Sequence, residues 1–273
     1  MIPFNKPYIT GKETSYLTEA VNKGKISGNG HYTKLCQNYF TQQLGNEQNL
    51  CTTSCTDALE MCAILTDFKA GDEVIMPTYT FVSTANAFIL RGAKVVFVDS
   101  RKDHPGMDEE LIKQLITEKT KAIVVVHYAG VACDMDKVVE IAKRHKLIVI
   151  EDAAQAIDSY YKGKALGSIG DMGCFSFYPT KIITTGEGGA ALTNSKEIFE
   201  KLSLFRTHGI TRDADQMTHS SDGGWYYQQI ALGLNYRITD IQAALGTSQM
   251  SRIDSFVLKR NELADRYNKH LSN

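Results

Sequence analysis

The stretch Lys121–Asp152, KAIVVVHYAGVACDMDKVVEIAKRHKLIVIED, decides the fold. Two unbroken Val/Ile runs, KAIVVV and LIVIED, flank MDKVVEIAKRHK, whose apolar residues recur at helical spacing. A strand exposed on one face alternates apolar with polar residues; a continuous apolar run belongs to a strand buried on both faces. The stretch therefore predicts strand, helix and strand of a mainly parallel sheet covered by helices on both sides.

The same alternation extends in both directions. Towards the N-terminus, DEVIMPTYT (72–80) and KVVFVDS (94–100) read as strands, with STANAFILRG (83–92) and DEELIKQLIT (108–117) as helices. LIVIEDAAQA (147–156) reads as a strand running into a helix start. Past Asp171, GCFSFYPTK (173–181) and GGAALTN (188–194) read as adjacent strands joined by a glycine turn, one of them antiparallel. RDADQMTHSSDGG (212–224) reads as a polar, mobile excursion, and residues 238–271 as a long helical pattern. There is no internal repeat and no low-complexity tract.

Composition narrows the function. With 273 residues, 43% hydrophobic and 22% charged, the chain is an ordinary globular one, and a formal net charge of -1 offers no footprint for nucleic acid or an anionic membrane. MIPFNKPYIT lacks the basic-then-apolar pattern of a signal peptide, and no apolar run reaches the roughly 20 residues of a membrane span. A cytoplasmic location is the expectation. The six cysteines (36, 51, 55, 62, 133 and 174) are expected to be buried free thiols, because no second Cys or His pair follows Cys51 and Cys55 at metal-site spacing.

In open α/β sheets, ligands sit beyond the carboxyl ends of the strands. Three such ends carry unusual residues: Pro77–Phe81, Glu151–Gln155 and Ser176–Lys181. Together they supply an aromatic face, a carboxylate, an amide, a hydroxyl and an amine, the inventory needed to hold a flat pyridine cofactor. Lys181 suits Schiff-base chemistry if partly desolvated; the plain alternative is a surface lysine at a strand-to-loop junction. Asp152 ends a buried strand, where an ionised carboxylate calls for a cationic partner such as a protonated pyridine nitrogen, and it reads equally as a helix N-cap before AAQA. Gln155 reads as a partner of the ring hydroxyl or as a helix-surface amide. In TTSCTDALEM (52–61), Ser54, Cys55 and Thr56 precede an apolar helix and can turn its free N–H groups on a phosphate, with Ser176 closing from another strand. Phe81 is either a stacking platform for the ring or core. His208 reads as a turn residue ahead of a sugar contact, and His127 and Tyr128 as lining or underlying the site. Trp225–Tyr227 would meet either a nucleotide base or a partner subunit.

SCTDALEM, MPTYTFVSTANAF, VHYAGVACDMD, EDAAQA, the Lys181 segment with GEGG, and LNYRITDIQAALG occur in order over essentially the whole chain. This set resembles the nucleotide-sugar aminotransferases of the DegT/DnrJ/EryC1/StrS family. The resemblance implies a fold type I pyridoxal 5'-phosphate enzyme, a mostly parallel seven-stranded sheet flanked by helices on both faces. Residues 1–250 would form the large cofactor-binding domain with its N-terminal arm. Residues 251–273 would begin a connecting helix to a small C-terminal domain that the chain lacks.

By the same resemblance, Lys181 bonds the cofactor covalently, Asp152 partners the pyridine nitrogen, Gln155 the ring oxygen, and Phe81 stacks on the ring. Cys55, Thr56 and Ser176 bind the phosphate, and Asn235 reaches the phosphate of a neighbouring subunit, so a homodimer with shared sites is implied. Glutamate would be the amino donor. A lysine at position 181, where a dehydrating branch of the family has histidine, argues for transamination. Up to about Gly170 the text is most similar to transaminases of TDP-4-keto-6-deoxy-D-glucose; the later part is more similar to those of UDP-linked 4-amino sugars on the pseudaminic acid route. Two other functions stand beside this one: a catalytically silent member of the fold, and a pyridoxal enzyme acting on amino acids.

Overall fold

The computed structural model describes residues 1–271 apart from 2, 4, 10, 47 and 220–222. A seven-stranded sheet runs β1-β9-β8-β5-β4-β2-β3. Its strands are β1 (Gln48–Thr52), β2 (Glu73–Pro77), β3 (Lys94–Val98), β4 (Thr120–Val126), β5 (Ile148–Asp152), β8 (Met172–Ser176) and β9 (Gly189–Thr193). From β8 to β3 all neighbours are parallel, and β9 alone runs against both β8 and β1. Two short hairpins, β6 (Tyr160–Tyr161) with β7 (Lys164–Ala165) and β10 (Ile210–Thr211) with β11 (Gln228–Gln229), lie outside the sheet.

Period-2 geometry divides each apolar run between two cores. Val74, Met76, Ala122, Val124 and Ile150 pack with α3 (Cys55–Leu65), α4 (Val82–Ile89) and Leu202 of α7 (Lys196–Phe205). Ile75, Ile123, Val125 and Val149 pack with Val138 and Ile141 of α6 (Met135–His145). Further along that second layer, Phe175 and Leu192 meet Phe40 of α2 (His31–Leu44) and Ala243 of α8 (Asp240–Met250), with Ala20 of α1 (Glu13–Asn22) beside them. Local chemistry sets the helix ends. Asp134 caps α6 by accepting the Lys137 N–H, and basic Lys143, Arg144 and His145 fill its last turn, complementing the helix dipole.

Four expectations need correction. DEELIKQLIT forms only a 3-10 turn (Glu109–Leu111) and the single-turn α5 (Ile112–Leu115), because Glu109 is drawn inward to accept the Asp134 N–H and pair with Arg101. No helix follows β5: the Asp152 side chain accepts the N–H of Ala154, two residues on, and closes a turn instead. β8 and β9 are joined by the loop 177–188, not by a tight glycine turn. The long C-terminal pattern is two helices, α8 and α9 (Ile253–Leu271), broken where Arg252 reaches back to buried Glu13. In the polar segment 212–224 a 3-10 turn covers Ala214–Gln216, and residues 220–222 lie outside those described.

Candidate active site

The carboxyl ends of β2, β4, β5 and β8 open into a cleft of about 490 Å³. Lys181, Asp152, Gln155 and Phe81 line it, and so do Ser54, Cys55, Thr56 and Ser176. Asn235 does not: it is exposed and bridges Thr207 outside the cleft. Lys181 stands in the loop after β8, half-buried, with its N–H bonded to the Tyr178 carbonyl at 2.9 Å and its carbonyl approached by Arg260 of α9 at 3.5 Å.

Asp152 is 6% exposed. Its Oδ1 accepts the Ala154 N–H at 3.1 Å and its Oδ2 the Thr84 hydroxyl at 2.6 Å. Among the described residues it forms no ion pair, and burial pushes its carboxyl above the usual range despite these two donors and the nearby Lys181 and His127. The turn after β5 rules out its reading as a helix N-cap.

At the other end of the cleft Ser54 caps α3, its hydroxyl accepting the Asp57 N–H at 3.0 Å. Asp57 and Ala58 are thereby satisfied, which leaves the first two N–H groups of the helix, those of Cys55 and Thr56, without an intrahelical acceptor at the positive end of the dipole. Gly189 lets the antiparallel β9 pass under this turn: a Cβ there would lie 2.5 Å from the Cys55 nitrogen. Gln155 accepts the Ala129 N–H through Oε1 at 2.9 Å, so its NH2 is left as the donor for an oxygen in the cleft. Phe81 is 69% exposed at the start of α4, a free aromatic face and not a core residue.

His127 packs beneath the cleft at 0% exposure: its Nδ1 accepts the Cys133 N–H, so Nε2 carries the proton donated to Glu151 at 2.9 Å. Tyr128 sits at the rim against Tyr79, ring centroids 4.7 Å apart. His208 is a turn residue with φ +62. Trp225 is 70% exposed and packs edge-on against Tyr226. All six cysteines are buried and free. Sequence reasoning passed over Thr84, although it stands three residues beyond Phe81 in the same motif; helical spacing from Thr80 was the available signal.

Residues 7–273 match the model of the DegT/DnrJ/EryC1/StrS aminotransferase family. The chain belongs to that family. It is 39% identical over 271 residues to GDP-perosamine synthase of Escherichia coli O157:H7, covering 99% of this chain and 71% of the relative. It is 38% identical over 266 residues to the spore coat polysaccharide biosynthesis protein SpsC of Bacillus subtilis, covering 97% and 68%. Among solved structures, Helicobacter pylori PseC, an aminotransferase of pseudaminic acid biosynthesis, superposes with a TM-score of 0.92 at 31% identity, covering 99% of this chain and 71% of that one.

DegT-family aminotransferases depend on pyridoxal 5'-phosphate, and this chain is an enzyme of that kind, a sugar aminotransferase. Its residues fit the cofactor: a buried carboxylate without a cation, an amine, and a helix N-terminus with two free N–H groups share one cleft. No helix of the described residues is long and apolar enough to cross a membrane.

Proposed function

We propose that this enzyme transfers an amino group from glutamate to the keto carbon of a nucleotide-linked 4-keto-6-deoxy sugar, TDP-4-keto-6-deoxy-D-glucose by the sequence resemblance, for surface polysaccharide synthesis. The observation that carries the reading is Lys181, Asp152 and the N-terminus of α3 on one cleft. When bound, pyridoxal phosphate supplies an aldehyde for the amine and a ring that withdraws electrons from the bond being broken.

The chain's own residues do the rest. Cys55 and Thr56 donate their N–H groups, with the Ser176 hydroxyl, to phosphate oxygens. The Asp152 carboxylate keeps the proton on the ring nitrogen, and the Gln155 NH2 donates to the ring oxygen. Phe81 covers one face of the ring. The free Lys181 amine would take the proton from the donor's α-carbon as general base and return it as general acid, and would run the same exchange in reverse to protonate the sugar carbon. Asn235, exposed and outside the lining of its own cleft, serves a partner's phosphate in a homodimer. Residues 1–250 form the cofactor-binding unit, and α9 leaves it. The enzyme works in the cytoplasm.

A second reading, a GDP-linked sugar, is favoured by the E. coli relative, a GDP-perosamine synthase. One experiment covers both. Protein mixed with pyridoxal phosphate and desalted should keep a visible absorption band that Lys181→Ala lacks and that glutamate bleaches. TDP-, UDP- and GDP-linked 4-keto-6-deoxy sugars should then restore the band with different kcat/KM. A wild-type chain with no band would overturn the reading, and restoration by the GDP sugar alone would replace the first substrate with the second.

A further inference from the structure

The proposed function requires Asp152 to be ionised while buried, and two hydroxyl groups stand behind its carboxyl group. Thr84 lies on the buried face of α4 at 0% exposure, and its hydroxyl is 2.6 Å from Asp152 Oδ2. A carboxylate only accepts, so the single Thr84 proton points at Asp152. Thr84 Oγ1 is also 2.7 Å from Thr80 Oγ1; with its own proton committed, it accepts the proton of Thr80, which lines the cleft. The two hydroxyls therefore form a directed chain, Thr80 to Thr84 to Asp152, in which each bond polarises the next.

We propose that Thr84, fed by Thr80, is the positioning residue that holds Asp152 ionised and aimed into the cleft. The Ala154 N–H fixes Oδ1, and the Thr84 hydroxyl fixes Oδ2; together they set the plane of the carboxyl group. The other groups facing Asp152 are Lys181 from the loop after β8, His127 from the end of β4, Cys55 from α3 and Cys174 from β8. Lys181 and His127 also favour the charged form, whereas burial opposes it. Lys181 is committed to the cofactor under the proposed function, so the hydroxyl chain, with the Ala154 N–H and His127, is the support that persists in the working enzyme. The use of Asp152 rests on that reading; the hydroxyl chain does not.

Thr84→Val keeps the volume and removes the donor, Thr84→Ser keeps the donor, and Thr80→Val removes only the outer link. The Asp152 carboxyl resonance, identified by its loss in Asp152→Asn, is followed by carbon-13 NMR against pH in aspartate-labelled protein. The midpoint should move upward in Thr84→Val, stay in place in Thr84→Ser, and move upward by less in Thr80→Val. In protein loaded with ring-15N pyridoxal phosphate, the ring nitrogen should shift towards its unprotonated value in Thr84→Val. Folded Thr84→Val and Thr80→Val proteins that both titrate like wild type would overturn the proposal. If Thr84→Val does not fold, an unmoved midpoint in Thr80→Val overturns it alone. A wild type that retains no cofactor would sink the cofactor reading, while the carboxyl titration still decides the hydroxyl chain.

Discussion

Glu151 and Asp152 are consecutive acids at the end of β5, both buried, and they do opposite jobs. Successive strand residues face opposite sides of a sheet, so one points under the sheet and the other into the cleft. Glu151 is saturated: it accepts the N–H groups of Gly167 (2.7 Å), Ile169 (2.7 Å) and Gly170 (2.6 Å), and the proton of His127. Asp152 accepts two donors and faces open volume. A buried carboxylate whose lone pairs are all occupied is a clamp for the backbone around it; one with capacity to spare is a binding group.

The largest expected effect that tests this contrast is on Asp152. Asp152→Asn should slow the glutamate half-reaction about a hundred- to a thousandfold, the scale of removing one preorganised electrostatic contact. Calorimetry of the cofactor-free protein should find no loss of stability. Burial raises the folded proton affinity of Asp152, so the folded state holds a proton that the unfolded chain has released. Cofactor-free stability should therefore fall as pH rises from the ordinary carboxylate range through the raised range of Asp152, and Asp152→Asn should remove that fall. A variant that loses stability but keeps its half-reaction would reverse the two roles.

Glu151→Gln should do the converse. Losing the charge that holds three N–H groups should cost about 3 kcal/mol of stability, read by denaturant unfolding, while the folded variant keeps its visible band. An unchanged unfolding midpoint would make Glu151 dispensable and break the contrast.

The smallest effect probes the phosphate end. Gly189→Ala places a methyl against the Cys55 nitrogen and should cost roughly 2 kcal/mol through overpacking, with weaker retention of cofactor as the first turn of α3 shifts. Cofactor held as tightly as in wild type would mean that this turn does not grip the phosphate.

Much of this was legible in the chain itself. The continuous Val/Ile runs of β4 and β5 specify strands buried on both faces, and the parallel sheet follows from them without long-range information, whereas the similar run KVVFV forms the edge strand β3 and leaves Phe97 51% exposed. Ser54–Thr56 before an apolar run marks the start of α3, because capping is a local interaction. Lys181 and Asp152 stand out because neither is placed where packing needs it. By contrast, EDAAQA looks helical from its alanines, and only the turn closed by the Asp152 side chain shows otherwise.

What the sequence alone determined is the layered α/β plan, the family and the chemical inventory, all carried by local patterns and residue types. Only the tertiary structure decided which acid of the Glu151–Asp152 pair faces the cleft, that Thr84 sits on Asp152, and that Asn235 stands outside its own site. Thr84 and Asp152 lie 68 positions apart in the chain. Their geometry is set by how α4 and the loops dock on the sheet, which no local spacing encodes.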